Sequence, residues 1–390
     1  MELKPGYKQK EVGVIPEDWT AVALEAVTTH IGDGLHGTPV YTRNADYYFI
    51  NGNNLSHGKV IITPDTQAVD QKEFDRHQKP LSNRSILMSI NGTIGNLGLF
   101  QGQPIVLGKS AAYLNIRTDV SKLYVYHVLQ SSCVRQQFFD GLTGSTIGNL
   151  GLSAIRSTCI PLPLNDSEQT SIAKALGEVD DLLYSLDQLL IKKQSIKQAA
   201  MQDLLNGKRR LPGFEGEWEV KRLGDVVQIR KGQLITSDAV LPGDIPVIAG
   251  GRQPAYYHAA ANRNGRTITI SASGASAGFV ALYDEPIFAS DCSTISEAES
   301  YCIDFLFYQL LSKQKTIYKA QTGGAQPHIH AKDLNPLLFS FPTLSEQSAI
   351  AAVLSDMDAE LAALEARRDK VHELKQGMMQ QLLTGKIRLT

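Results

Sequence analysis

The sequence predicts an α+β protein in which two β-rich domains alternate with two long, repeated helices. Three observations lead there. Residues 168–211 recur as residues 346–389, shifted by 178 positions with no gap and with 19 of the 44 positions identical. Each copy carries apolar residues at alternating steps of three and four: Leu176, Val179, Leu183, Leu186 and Leu190, then Leu354, Met357, Leu361 and Leu364. That is the seam of a coiled coil. Before each copy the chain breaks into short apolar runs separated by turn residues, the pattern of small strands.

The first element is a polar lead whose end, Ile15-Pro16-Glu17-Asp18-Trp19, supplies a core anchor in Trp19. The first β-rich domain, residues 1–162, then shows runs at Tyr47–Ile50, Val60–Ile62, Ile86–Ile90, Leu97–Phe100, Ile105–Leu107 and Tyr113–Ile116. A helix is expected over Leu123–Phe139, followed by a Thr143-Gly144-Ser145 turn.

The first repeat helix fills residues 163–211. Ser167 and Ser345 are expected as N-caps of the two copies, each followed by an acidic residue, and Gly207 and Gly385 as their C-terminal stops. About 40 residues at 1.5 Å each make a helix of roughly 60 Å. A stripe that long needs a partner, and the other copy is the one at hand. Antiparallel pairing is expected, because a whole domain must fit between the end of one copy and the start of the next.

The second domain, residues 212–341, repeats the plan. Trp218, Leu223 and Val226 match Trp19, Leu24 and Val27. Runs follow at Val226–Ile229, Ile245–Ala249, Thr267–Ser271, Phe279–Leu282 and Ile287–Ala289, then a helix over Tyr301–Tyr318 and a Thr322-Gly323-Gly324 turn. The C-terminal repeat helix takes residues 342–390. After Lys208-Arg209-Arg210-Leu211 the chain runs through Pro212-Gly213-Phe214. Pro5-Gly6-Tyr7 is expected to lie in the same way beyond Lys386-Ile387-Arg388-Leu389, which would make the repeat nearly circular.

Composition narrows the function classes. With 43% hydrophobic and 20% charged residues, the chain is that of an ordinary folded protein. No apolar run approaches the ~18 residues of a membrane span, and the first twenty residues are polar and charged, so a cytoplasmic protein without membrane association is expected. Cys133, Cys159, Cys292 and Cys302 form no C-x-x-C pair, which points to buried thiols rather than a zinc ribbon or a disulfide framework. The net charge of −2 carries no global basic signature. A clamp, however, needs cations only on its inner face.

No catalytic constellation is present: no phosphate-binding G-x-x-x-x-G-K-[ST] loop, no H-E-x-x-H and no G-x-S-x-G elbow. His328-x-His330 has a ligand-like spacing but no further Cys or His to complete a metal site, so a polar turn is the better reading. Gly92-x-x-Gly95-x-x-Gly98 and Gly274-x-x-x-Gly278 do not open helices and read as strand-edge turns rather than phosphate cradles.

Several segments carry a family resemblance. Tyr7-Lys8, Glu11 to Trp19, the Thr-Gly-Ser turn, Pro161-x-Pro163 before Glu168-Gln169, and helices closing in Leu-Leu-x-Gly-Lys together resemble the specificity subunit of type I restriction-modification enzymes. The resemblance covers the whole chain. The segment Asp33-Gly34-Leu35-His36-Gly37-Thr38-Pro39-Val40-Tyr41 looks like one type of target-recognition domain. Gly250 to His258, with Phe288 to Cys292, looks like another. The second copy departs in Phe341-Pro342-Thr343 and in Gly324-Ala325-Gln326.

The resemblance implies a non-enzymatic reader of double-stranded DNA that assembles two methylation subunits and, through them, restriction subunits. It implies no cofactor in this chain. S-adenosylmethionine, ATP and magnesium would belong to the partners. Two pseudo-twofold-related readers held apart by a rigid spacer would suit an asymmetric bipartite target with half-sites about one helical turn, ~34 Å, apart. The alternative, a methyltransferase or nuclease fused to its own reader, needs a [DN]-P-P-[YF] loop and a Gly-rich cofactor turn, and the sequence has neither.

DNA-facing residues are then expected in the polar loops between strands. In the first domain these are His36, Thr38, Arg43, Asn51, Asn53, Asn91, Thr93, Lys109, Ser145 and Thr146. In the second they are Lys231, Gln233, Arg252, Gln253, Ser273, Ser276, Asp291, Gln326 and His328. Arg252-Gln253 is the leading pair, because arginine suits guanine and glutamine suits adenine in the major groove.

Overall fold

The computed structural model describes residues 5–144, 148–323 and 326–389, a mixture of strands and helices. By its internal contacts the chain divides into two compact units, Met1–Ser185 with Arg368–Thr390, and Leu186–Arg367.

In the first unit an antiparallel four-stranded sheet runs in the order Leu97–Leu99, Ser85–Ser89, Ala111–Ile116, Thr28–Asp33. A three-stranded sheet has Tyr47–Ile50 at its centre, parallel to Ile105–Leu107 and antiparallel to Ala68–Val69. The central strands are buried on both faces, which is why their sequences read as unbroken apolar runs rather than alternating ones. The main core gathers Trp19, Leu24, Ile86, Leu114, Tyr124 and Phe138 together with Ile172 and Leu176 of the first long helix and Leu382 and Leu383 at the end of the second.

The second unit repeats this plan with its own residues. Its four-stranded sheet runs Arg230–Lys231, Cys292–Ser296, Thr267–Ser271, Val280–Tyr283. Its three-stranded sheet centres on Ile245–Ile248, parallel to Phe288–Ala289 and antiparallel to Tyr256–His258. Here the core joins Leu223, Ile268, Phe305, Leu306 and Phe339 to Leu204 and Leu205 of the first long helix and to Ile350 and Leu354 of the second.

The long helices span Asp166–Leu204 and Leu344–Leu382. Their starts correct the expected caps. Ser167 and Ser345 lie inside the first turn. The caps are Asn165, whose side chain accepts the Ser167 N–H at 2.9 Å, and Thr343, whose hydroxyl accepts the Glu346 N–H at 3.4 Å. Both helices end as expected, on Gly207 (φ 72°) and Gly385 (φ 67°), with Arg209 N–H returning to the Asp203 carbonyl and Ile387 N–H to that of Gln381.

The helices touch each other within each unit. In the first, Lys375 pairs with Asp180 at 2.6 Å. In the second, Lys193 pairs with Glu360 at 2.6 Å and Lys197 with Asp358. In both units an advance along one helix is a retreat along the other, since Glu168 meets Arg388 and Asp180 meets Lys375 in the first, and Lys193 meets Glu360 and Lys197 meets Asp358 in the second, the signature of antiparallel neighbours. Leu176, Leu183, Leu186, Leu190 and Leu354 of the seam are buried, whereas Val179, Met357, Leu361 and Leu364 are half-buried.

The repeated Glu-Gln at each helix start now has a physical explanation. Gln169 accepts the Ser121 N–H at 2.9 Å and donates to the Pro163 carbonyl at 2.9 Å. Gln347 does the same for Cys302 N–H and Pro342 at 3.0 Å each. Each glutamine thus clips its long helix to the short helix of its own domain. Glu168, 1% exposed, takes the Trp19 indole N–H at 3.1 Å and a two-pronged contact from Arg388 at 2.6 and 2.9 Å. Glu346, equally buried, takes Arg210 at 2.6 and 2.7 Å. In both units the cation comes from the end of the other copy. Arg388 also grips Asp18, whose carboxyl it holds below the usual carboxylate range. The Tyr7 hydroxyl donates to the Gly385 carbonyl at 3.0 Å, so the N-terminal strands lie against the end of the second helix.

Three segments depart from expectation. The helix over Leu123–Phe139 is two, Lys122–Val128 and Ser132–Asp140, because Ser131 caps a new start by accepting the Val134 N–H. Tyr301–Tyr318 likewise divides into Ile303–Ser312 and Gln314–Lys319. Val226–Ile229 is not a strand: Leu223–Val226 is a helical turn and pairing begins only at Arg230–Lys231. Among the described residues no helix is long and apolar enough to cross a membrane, and no group of three or more His, Cys, Asp or Glu is placed to hold a metal ion.

Candidate nucleic-acid interface

Polar side chains from distant parts of each unit converge where the four-stranded sheet meets the three-stranded one. In the first unit the strand Thr28–Asp33 ends in a turn that brings Leu35 onto Gly108 and the Leu107 carbonyl. Gly34 is required there, since a β-carbon would sit 2.3 Å from the carbonyl oxygens of Leu107 and Gly108. Asn91, just past the strand Ser85–Ser89, bridges to Asn149. These approaches leave a recess of about 330 Å³ lined by Asp33, His36, Asn91, Lys109 and Asn149 over an apolar floor that includes Ile90 and Leu150. The Asp33 carboxylate accepts a hydrogen bond from His36 Nε2 at 2.7 Å.

The second unit builds the corresponding place from different residues. Gly232 fits 2.0 Å, measured from an added β-carbon, from the Ser290 carbonyl, and Gln233 N–H donates to the Ala289 carbonyl at 2.9 Å. Ser273 bridges to His328 and its hydroxyl donates to the Asp291 carboxylate. Gly250 packs on both Ser273 and Asp291. The Arg252 guanidinium lies 5.4 Å from the centre of the Phe279 ring, which holds it by a cation–π contact.

Of the expected first-domain residues, the structure brings together His36, Asn91 and Lys109. Thr38, Arg43 and Thr93 are exposed on loops, and Asn53 is exposed on the short 3-10 helix Gly52–Asn54. Asn51 is engaged in the scaffold: its amide oxygen accepts from Ser110 Oγ at 2.9 Å, and its backbone N–H donates to Asn54. Ser145 and Thr146 lie outside the described residues. In the second domain Ser273, Asp291 and His328 come together and Lys231 lies two ladder positions away, paired with Ser293. Arg252, Gln253, Gln233 and Gln326 are exposed. Ser276 is a turn former, its carbonyl accepting the Phe279 N–H.

Sequence reasoning missed Asp33 and Asn149. Asp33 could have been found from its i,i+3 spacing to His36. Asn149 is brought to Asn91 only by the chain's topology. It also left out Arg263, which the structure assigns to the scaffold, donating to Thr294 Oγ1, the Asn262 carbonyl and the Lys231 carbonyl. Away from these loops, His127 of the helix Lys122–Val128 is 2% exposed against Asp180 at 3.7 Å. Burial pulls its pKa down to about 4, and it is neutral at pH 7. Its counterpart Tyr308 donates to Asp358 at 2.7 Å.

A family model described as the type I restriction modification DNA specificity domain matches residues 16–196 and 215–373. The type I restriction enzyme MjaVIII specificity subunit of Methanocaldococcus jannaschii is 23% identical over 414 residues, which cover 96% of this chain and 94% of that one. The fold is that of the S subunit of a type I restriction-modification system from M. genitalium, with a TM-score of 0.67 at 17% identity over 98% of both chains. It is also that of a chain solved in connection with complex assembly and conformational transition of the type I R-M system, with a TM-score of 0.58 at 15% identity over 96% and 99% of the two chains. The duplicated match, spanning both units, shows that this chain belongs to the type I restriction modification DNA specificity family.

Proposed function

We propose that this chain is the non-catalytic specificity subunit of a type I restriction-modification complex, reading a bipartite, asymmetric target in double-stranded DNA. One observation carries the bipartite part. The two units share a sheet plan and the glycine-dependent approach at Gly34 and Gly232, yet present different side chains beside it, His36, Asn91 and Lys109 in one, Ser273, Asp291 and His328 in the other. Equal scaffolds with unequal loops suit two readers of unlike sequences.

The paired long helices are inferred to form an antiparallel coiled coil that relates the readers by a pseudo-twofold axis and sets the distance between half-sites. The antiparallel ion pairs in each unit and the crossed Arg388–Glu168 and Arg210–Glu346 contacts support this. The working division of the chain is 1–162 and 212–341 as target-recognition domains, with 163–211 and 342–390 as the helices. Two methylation subunits and, through them, restriction subunits are the proposed partners in the cytoplasm. S-adenosylmethionine, ATP and magnesium are assigned to those partners. A fused methyltransferase or nuclease finds no support in the motifs or in the family.

Arg252 gives the direct test. Arg252→Ala should relax one position of one half-site, costing about 1–3 kcal/mol there, the usual discrimination of a well-placed arginine–guanine contact. Binding of the assembled methyltransferase to duplexes varied one base pair at a time measures it. Unchanged preference at every position in a folded variant would remove Arg252 from the reading surface.

A further inference from the structure

We propose that Asp33 and His36 form an acceptor patch that reads an exocyclic amino group, adenine N6 or cytosine N4, at one position of the half-site taken by the first domain. The inference rests on the DNA-reading function above and adds its chemical sense. With Nε2–H donated to Asp33 at 2.7 Å, the neutral imidazole presents Nδ1 as a bare lone pair. Asp33 is about one-quarter exposed and contributes only acceptor oxygens, whereas His36 is mostly exposed at the mouth of the recess.

A carboxylate in the recess is ill suited to a phosphate, which it repels, and well suited to a donor. In the major groove the donors are the amino groups of adenine and cytosine. The recess of about 330 Å³ is roomy enough for a base edge, and Asn91 and Asn149 flank it with amides that both donate and accept. Lys109, on the same rim, is the cation available for the backbone. Asp33 and Lys109 are the charged groups lining the recess among the described residues. The Tyr113 phenol, on the strand beside Asp33, has its titration pushed up by burial and by Asp33.

His36 reads through Nδ1, and Asp33 acts both as a second acceptor and as the group that positions the ring.

The test uses the complex of this chain with its methylation subunits and a duplex library randomised across the target. His36→Ala should reduce discrimination about tenfold at a single position, where the preferred base carries an amino group. Asp33→Asn, which keeps one acceptor oxygen and puts a donor in place of the other, should change the preference at that same position. On the wild-type complex, replacing the preferred base by its analogue without the amino group should cost about tenfold with no change to the protein.

Lys109→Ala separates the two layers of the argument. If it weakens binding to all sequences while His36→Ala and Asp33→Asn leave base preference intact, the acceptor patch is wrong and the reading domain stands. If none of the three variants changes affinity or preference, the surface itself is misplaced.

Discussion

Replacing Arg388 with alanine is expected to destabilise the first unit by about 3 kcal/mol, the usual cost of stripping one partner from a buried ion pair. The reason is Glu168. Its side chain is 1% exposed, and the Trp19 indole N–H alone would then have to hold a carboxylate that now has a guanidinium on both oxygens. Asp18 would lose its partner as well, but it is exposed and contributes little. Arg210→Ala should act in the same direction on Glu346 in the second unit, where the Trp218 indole nitrogen has no hydrogen-bond partner. Amide hydrogen exchange resolves the two. Arg388→Ala should accelerate exchange around residues 166–176 and 378–389, and Arg210→Ala around 200–211 and 344–354. If Arg388→Ala leaves protection around the start of the first long helix unchanged, the crossed ion pairs are not what fasten each helix to the other.

Matched insertions of four residues after Ser185 and after its repeat equivalent Ala363 should lengthen the tolerated gap between half-sites by about two base pairs. Four helical residues add roughly 6 Å, against about 3.4 Å per base pair. The insertions must be matched because the helices are antiparallel neighbours on either side of these points, through Asp180–Lys375 in one unit and Lys197–Asp358 in the other. A single insertion would shift one seam against its partner. Four residues also rotate the helix by about 40° beyond a full turn. The longer gap is therefore expected with reduced affinity rather than with new base preferences. Binding to duplexes of graded gap length measures this. A matched variant that keeps the original gap and reads new bases would remove the helices from the spacing role.

Much of this architecture was legible because the chain contains its own comparison. The internal repeat exposed the two helices, their glycine stops and the Glu-Gln starts before any coordinates. What it could not expose is which copy each arginine serves. Arg210 and Arg388 occupy equivalent positions, and only the antiparallel packing reveals that each reaches the glutamate of the other copy. The errors were local. Apolar residues at 223–229 fit a strand or a helical turn equally well over so short a run, and the turn won because Leu223 N–H is taken by the Leu337 carbonyl and Val227 closes back on Leu223. The unbroken helix over 123–139 failed on one serine, whose hydroxyl offered the backbone a better start.

The recess of the first unit was legible only in part. Of the polar loop residues that the sequence offered, the fold gathers His36, Asn91 and Lys109 around one recess. Asp33 was passed over because it ends a strand rather than sitting in a loop, and Asn149 because 58 residues of chain separate it from Asn91. Asn51 went the other way, a polar residue in a suitable place that the scaffold consumes through Ser110 and Asn54. Such assignments follow from register and closure, which composition does not encode.

The measurement closest to the central claim is single-molecule sequencing of methylated bases in DNA modified by the complex assembled on this chain. Two unlike half-sites separated by a constant stretch of unread base pairs are predicted, and the Arg252→Ala complex should relax only the half-site belonging to the second domain. A continuous motif, or two identical half-sites in inverted orientation, would contradict the reading of the two units as separate and different readers.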